Sequence, residues 1–429
     1  MKEKFIKSTI ILLIGGIITK LLGMIIKIIM ARSIGTKGLG MYMLILPTFT
    51  LLISLSQFGI PIALSKLISE DKRNNKRLVF SLFPILIIIN ILLIILIIIL
   101  SPIISYKLLH NKDTYMSILS MALVIPFTTI SSICRSYFFG KEKMIPHVVS
   151  NIVENVVRLI IIITILPVIK PLGLKYIVCF LILINIISEI FSTLVLLFFL
   201  PKNIKITKSD LRPNKIYIKD SLKISIPNTT SRLIGSLGFF LEPIILTNIL
   251  LLNGYSIDFI TKEYGIISGY VIPLILLPSF FTLAISQALL PVISKDYANN
   301  NIKSIKRKIK IAISLSLLMG GIVTTILLIY PDILLKLIYH TNKGILYTRV
   351  LSVICLLQYI QSPLSSVLDA LGRSNNNMIA TLLGTITRIV SLVIFSSLKI
   401  GLWGLVYAIS LNIIITTLYQ IKKVRNCLT

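Results

Sequence analysis

Apolar runs longer than about 18 residues recur from one end of this 429-residue chain to the other, and no other feature restricts its fold as tightly. Each run is long enough to cross a hydrocarbon core of about 30 Å as a helix. Inside lipid the backbone must satisfy its own hydrogen bonds, so helices or closed barrels are the available solutions. With 55% hydrophobic and 14% charged residues and a mean hydropathy of +0.95, too little polar surface remains to wrap a soluble protein of this length. The pattern predicts an all-α polytopic membrane protein with twelve spans, near 8–31, 40–68, 78–105, 114–139, 146–169, 174–200, 221–252, 265–293, 309–331, 346–371, 377–398 and 402–421. The first run exceeds a signal-peptide core and lacks a small-residue cleavage site, so it reads as a retained span. The segment after Pro331 reads as a short interfacial extension.

Part of the second run is repeated without a gap 225 residues later: residues 40–75 and 265–300 share 12 identities in 36 positions. Leu and Ile matches are cheap in so apolar a chain, whereas Gly40/Gly265, Ser54/Ser279, Asp71/Asp296 and Asn74/Asn299 are not. The repeat relates span two to span eight, an even shift, so both copies cross in the same direction. That is the pattern of a transporter made of two parallel lobes. The longest polar connection falls between spans six and seven. It divides the chain into an N-terminal six-helix lobe (1–200), a cytoplasmic linker (201–219) and a C-terminal six-helix lobe (220–429).

Basic residues fix the expected orientation. Counted up to the third residue of the span that follows, the N-terminus, the C-terminal tail and the loops after even-numbered spans carry 26 Lys and Arg against 10 in the loops after odd-numbered spans. Both termini are therefore expected in the cytoplasm, with the chain in the cytoplasmic membrane. The +29 net charge lies in short loops between spans, with no soluble domain to present a nucleic-acid-reading motif, so no nucleic-acid partner is expected. Cys134, Cys179, Cys355 and Cys427 show no paired metal-ligand spacing, which leaves neither a disulfide framework nor a metal site to expect. No phosphate-cradling glycine loop, no HExxH and no paired carboxylate site stands out, so the chain does not read as an enzyme.

Charges inside the spans are the candidate functional residues, because each costs on the order of 3 kcal/mol to insert and needs a partner, water or a role. Lys20, Lys27, Arg135, Arg158 and Arg232 are the candidate substrate-binding cations. Lys20 and Lys27 are seven residues apart, two turns along one face. Glu154, Glu242, Asp369 and Arg388 are candidates for coupling or for structural ion pairs. Glu154 and Arg158 have the i,i+4 spacing of an intrahelical pair, and Asp369 with Arg388 reads as a pair across spans ten and eleven. Asn228, Arg232, Gly235, Phe239 and Glu242 follow helical spacing in span seven and read as one polar stripe, bracketed by Pro227 and Pro243. Basic residues within the spans outnumber acidic ones, which favours an anionic cargo.

Several segments resemble the multidrug/oligosaccharidyl-lipid/polysaccharide exporter superfamily, and within it the polysaccharide-biosynthesis and stage V sporulation protein B-like branch, related to lipid II flippases. They are Lys20-Leu-Leu-Gly23, Ala31-Arg32-Ser-Ile-Gly35, Gly38-Leu-Gly-Met-Tyr42 with Pro47, Gly59-Ile-Pro-Ile-Ala-Leu-Ser-Lys66 with Ile68-Ser69-Glu70, Phe139-Gly140-Lys141, and Asn155 with Arg158. The resemblance implies two six-helix lobes around a V-shaped central cavity that opens alternately to each face. It implies export of an undecaprenyl-pyrophosphate-linked oligosaccharide, a cell-envelope or spore-cortex precursor, with membrane lipids and envelope-synthesis enzymes as partners. No cofactor is implied beyond coupling to protons, sodium or the membrane potential. The rival readings are a cation-coupled multidrug antiporter of the same superfamily and a non-transporting scaffold for envelope enzymes.

Overall fold

The computed structural model describes residues 2–70, 74–200, 210 and 212–428. Residues 201–209 and 211 of the expected linker, and Asp71 of the repeat, lie outside the described residues. Helices are the only regular secondary structure among the described residues. They run α1 Lys2–Gln57, α2 Ile60–Ser69, α3 Asn75–Pro102, α4 Tyr115–Gly140, α5 Met144–Ile169, α6 Leu174–Phe198, α7 Lys215–Leu252, α8 Ile257–Gly265, α9 Ile272–Ile275, α10 Ser279–Ala298, α11 Ile302–Ile329, α12 Pro331–Tyr339, α13 Ile345–Ala370, α14 Ser374–Ser396 and α15 Trp403–Leu428.

Among the described residues ten helices are long and apolar enough to span, and the α8–α10 segment, bent by 50° at a break that carries Pro278, makes eleven when counted as one span. The apolar part of α1, Ile10–Gln57, has 48 residues, about 72 Å of helix and more than twice a hydrocarbon core. Gly35 interrupts it with φ 67° and ψ −179°, so α1 contains two crossings joined at a glycine. Split there, the chain has the twelve spans expected. The short amphipathic α12 after Pro331 is the expected extension.

The chain forms two compact units, Met1–Phe240 and Leu241–Thr429, and α7 runs through the boundary. The first half of α7 belongs to unit 1 because Tyr217 and Ile224 pack onto that unit's core. Unit 1's α2–α3–α4 core holds Ile60, Leu64 and Ile68 of α2, then Leu78, Leu82 and Leu86 of α3, then Ile133 of α4. Residues at i, i+4 and i+8 share one face of a helix, which is why these apolar positions meet while the rest of α3, including Ile88, Leu92 and Ile99, stays exposed as a lipid-facing surface would. Unit 2 repeats the arrangement with Ile285, Leu289 and Ile293 of α10, Ile305, Ile309 and Ile313 of α11, and Ile360 of α13. Helix pairing is also the same: α3–α4, α4–α6 and α5–α6 in unit 1, and α11–α13, α13–α15 and α14–α15 in unit 2.

Candidate functional site

Three adjacent helices of unit 1 place four charged side chains in one network. Arg135 of α4 donates from Nη2 to Glu154 Oε2 of α5 (2.5 Å), to Glu189 Oε2 of α6 (2.9 Å) and to Ser192 Oγ (2.8 Å). Arg158, one turn after Glu154, donates from Nη2 to Glu154 Oε1 (2.7 Å) and to Ser188 Oγ (3.3 Å). Glu154 and Glu189 are buried, at 9% and 7% exposure, and each carboxylate is hydrogen-bonded to a guanidinium group, the pairing a buried charge needs. Two arginines and two carboxylates leave the network with no net charge.

Unit 2 contains a second buried pair. Glu242 of α7, 4% exposed, is ion-paired with Arg388 of α14, and Tyr264 Oη donates to Glu242 Oε1 at 3.3 Å. This corrects the expected Asp369–Arg388 pair. Asp369 is exposed and accepts a hydrogen bond from Asn377 Nδ2 (2.9 Å), and Asn377 lies three turns, about 16 Å, before Arg388 on α14. The two residues sit at different depths. The span-seven stripe is divided as well, since Glu242 turns into unit 2 whereas Arg232 lies on unit 1 with an exposed side chain.

Lys20, Lys27 and Arg232 are exposed, and among the described residues none pairs with them. Lys20 and Lys27 stand about 10 Å apart along α1, on one stripe. The five expected anion-binding cations are therefore of two kinds: Arg135 and Arg158 committed to carboxylates, and three without a protein partner. The i,i+4 rule was enough to expect the Glu154–Arg158 bond. Glu189 is expected only as a coupling carboxylate of the antiporter reading, and Ser188, Ser192 and Tyr264 are not expected at all; the one local signal is a Ser-Glu-x-x-Ser run placing two hydroxyls and a carboxylate on adjoining turns of α6. Among the described residues, no three His, Cys, Asp or Glu side chains gather as a metal-binding group.

A polysaccharide biosynthesis protein family model matches residues 5–297, and a MatE model matches residues 267–394. The chain is 32% identical to Stage V sporulation protein B of Bacillus subtilis (strain 168) over 438 aligned positions, covering 100% of this chain and 85% of the relative. It is 23% identical to Sporulation protein YkvU of the same organism, covering 86% and 83%. Its fold is similar to that of a multidrug resistance MATE family transporter of the MOP superfamily in an inward-facing conformation, with a TM-score of 0.74, 17% identity and 95% coverage of both chains. It is also similar to a MOP superfamily transporter from Pyrococcus furiosus, with a TM-score of 0.61, 16% identity and coverage of 100% and 97%. The family-model match over residues 5–297 and the 32% identity to a relative along the whole chain, on a multi-pass helical architecture of two similar units, establish that the chain belongs to the polysaccharide biosynthesis protein family.

Proposed function

We propose that the protein is a flippase that carries a lipid-linked oligosaccharide, an undecaprenyl-pyrophosphate-type precursor of the cell envelope or spore cortex, across the cytoplasmic membrane by alternating access. The observation that carries this reading is the sign of the uncommitted charge. The buried carboxylates Glu154, Glu189 and Glu242 are each held by an arginine, while Lys20, Lys27 and Arg232 have no partner among the described residues. A pyrophosphate headgroup needs cations of that kind, and Lys20, Lys27 and Arg232 are assigned to it. The named relatives, a polysaccharide biosynthesis family and a sporulation protein, agree with a cell-envelope cargo.

With both termini in the cytoplasm, an anionic headgroup moving outward travels down an inside-negative potential. That is worth about 2.3 kcal/mol per charge per 100 mV, so the membrane potential is a sufficient drive. Reconstituted into vesicles with a fluorescent pyrophosphate-linked lipid, the Lys20→Ala/Arg232→Ala protein should flip at least tenfold more slowly than the unmodified protein. An unchanged rate would remove these residues from the binding site.

The likeness of the fold to a multidrug MATE transporter favours a second reading, exchange of a cationic drug for protons or sodium. It requires a carboxylate that can let go of its partner. Uptake of a cationic dye into inverted vesicles under a proton gradient, abolished by Glu242→Gln, would support that reading over the flippase.

A further inference from the structure

Unit 2 contains a cleft of about 480 Å³ where α8, the turn leading into α13 and the start of α15 meet. The volume is within the range of about 300–1,000 Å³ usual for small-molecule sites. One wall is aromatic: Trp403 packs against Tyr347 with ring centroids 4.8 Å apart at 61°, and Phe259 is also in the lining. The charged and amide side chains are Lys262, Glu263, Asn342 and Lys343, with Lys262 ion-paired to Asp258 at 2.5 Å. Tyr347 Oη donates to Glu263 Oε2 at 2.8 Å, which aims the carboxylate and leaves Oε1 without a donor among the described residues. Asn342 and Lys343 are exposed at the rim.

The rim is held in place by neighbouring loops. Tyr255 Oη donates to the Lys399 carbonyl (2.7 Å) and Asn253 Nδ2 to the Ser396 carbonyl (2.7 Å). This end of unit 2 bears the turns after spans seven, nine and eleven, which the loop charges assign to the outside.

A rigid aromatic face beside an oriented carboxylate and a primary amide complements a sugar ring. A pyranose presents a face of C–H groups that packs on an aromatic plane, and an edge of hydroxyls that each both donate and accept. A carboxylate oxygen accepts from such hydroxyls, and an amide both donates and accepts. Tryptophan and tyrosine are also common as anchors at the membrane interface. An anchoring belt accounts for the rings, but gives no reason for a half-buried carboxylate in the cleft lining oriented by a tyrosine hydroxyl.

We propose that this cleft is a saccharide-binding subsite, in which a sugar ring lies against Trp403 and Tyr347 with its hydroxyls on Glu263 and Asn342. The proposal rests on the oligosaccharide reading for its natural ligand: the cleft takes the headgroup sugars on the outer face once they have been carried across.

Trp403 is the sole tryptophan of the chain, so its emission reports the cleft directly. The full-length protein in lipid nanodiscs is titrated with chitobiose, chitotetraose and maltotetraose, and separately with glucose 1-phosphate and inorganic phosphate. The expected result is a saturable change in emission with at least one oligosaccharide, with Kd raised at least tenfold by Glu263→Gln and by Asn342→Ala at unchanged melting temperature. Calorimetric titration of the same samples covers binding that leaves the emission unaltered. No saturable signal from any oligosaccharide by either method overturns the proposal, and the interfacial-belt role stands. A response to the phosphate-bearing probes alone overturns it in favour of an anion site at Lys262 and Lys343. An equal response in Glu263→Gln and Asn342→Ala shows that neither side chain reads the sugar and also overturns it. The vesicle flipping assay is independent: saccharide binding with no flipping of the pyrophosphate lipid refutes the transport reading and leaves the cleft, whereas flipping without saccharide binding does the reverse.

Discussion

Glu154 accepts from a different arginine on each of its two oxygens, so neutralising it weakens one of the three bonds of Arg135 and one of the two bonds of Arg158. Removing one partner of a buried ion pair typically costs about 3–5 kcal/mol. Glu154→Gln should lower thermal stability in detergent by an amount near the bottom of that range, since the amide still accepts one bond. Glu189→Gln should cost less, because Arg135 keeps both Glu154 and Ser192. Equal losses in melting experiments would show that the network does not pivot on Glu154. The intrahelical half of the network was legible in the sequence, because i,i+4 spacing sets neighbours without reference to any other helix. Arg135 lies 19 positions before Glu154, and only the packing of α4 on α5 and α6 brings it there. For the same reason Arg388 could not be matched to Glu242: opposite charges on separate spans pair by depth and helix neighbourhood, and neither is written in spacing along the chain.

At the level of single helices, two glycines fail in different ways when given a methyl group. Gly35 has φ 67° and ψ −179°, a backbone region almost closed to other residues, yet a Cβ there would meet nothing within 4 Å. Gly35→Ala therefore costs only backbone strain, about 1–3 kcal/mol. Gly320 of α11 is an ordinary helical residue against which the Tyr359 ring of α13 is pressed, and Tyr359 is itself buried and bonded to the Ile275 carbonyl at 2.6 Å. Gly320→Ala creates a clash worth about 1–3 kcal/mol. A second-site Tyr359→Leu should recover part of the Gly320→Ala loss and none of the Gly35→Ala loss; recovery of both, by melting temperature, would refute the distinction. The twelve spans could be read from apolar length alone. The break within α1 falls in the polar, glycine-rich stretch Arg32–Gly38 between the first two expected spans; what apolar length does not give is that helix continues on both sides of it, with Gly35 alone off the helical backbone.

Across the whole molecule, the repeat seen in the sequence extends further than its identities. Ile60, Leu64 and Ile68 match Ile285, Leu289 and Ile293 at a separation of 225, whereas Leu78, Leu82, Leu86 and Ile133 match Ile305, Ile309, Ile313 and Ile360 at 227. Two extra residues in the second copy shift the register, and beyond them only apolar character is shared, so the ungapped comparison stopped at Asn75. The two buried charge clusters have no such correspondence, and they differ in a way that matters while the protein is being made. Arg135 meets Glu154 after 19 more residues, roughly 1–4 s of synthesis at about 5–20 residues per second. Glu242 waits 146 residues for Arg388, about 7–30 s, and only the Tyr264 hydroxyl arrives sooner. Throughout that interval Glu242 lacks its arginine, and the expected consequence is that quality-control proteases recognise the incomplete chain. In pulse-chase labelling, chains ended between residues 270 and 380 should be cleared faster than chains ended at residue 200, and Glu242→Gln should prolong their lifetime; an unaltered half-life would exclude Glu242 as the recognised defect. Translation pace through α8–α13 thereby becomes a determinant of how much protein the membrane receives.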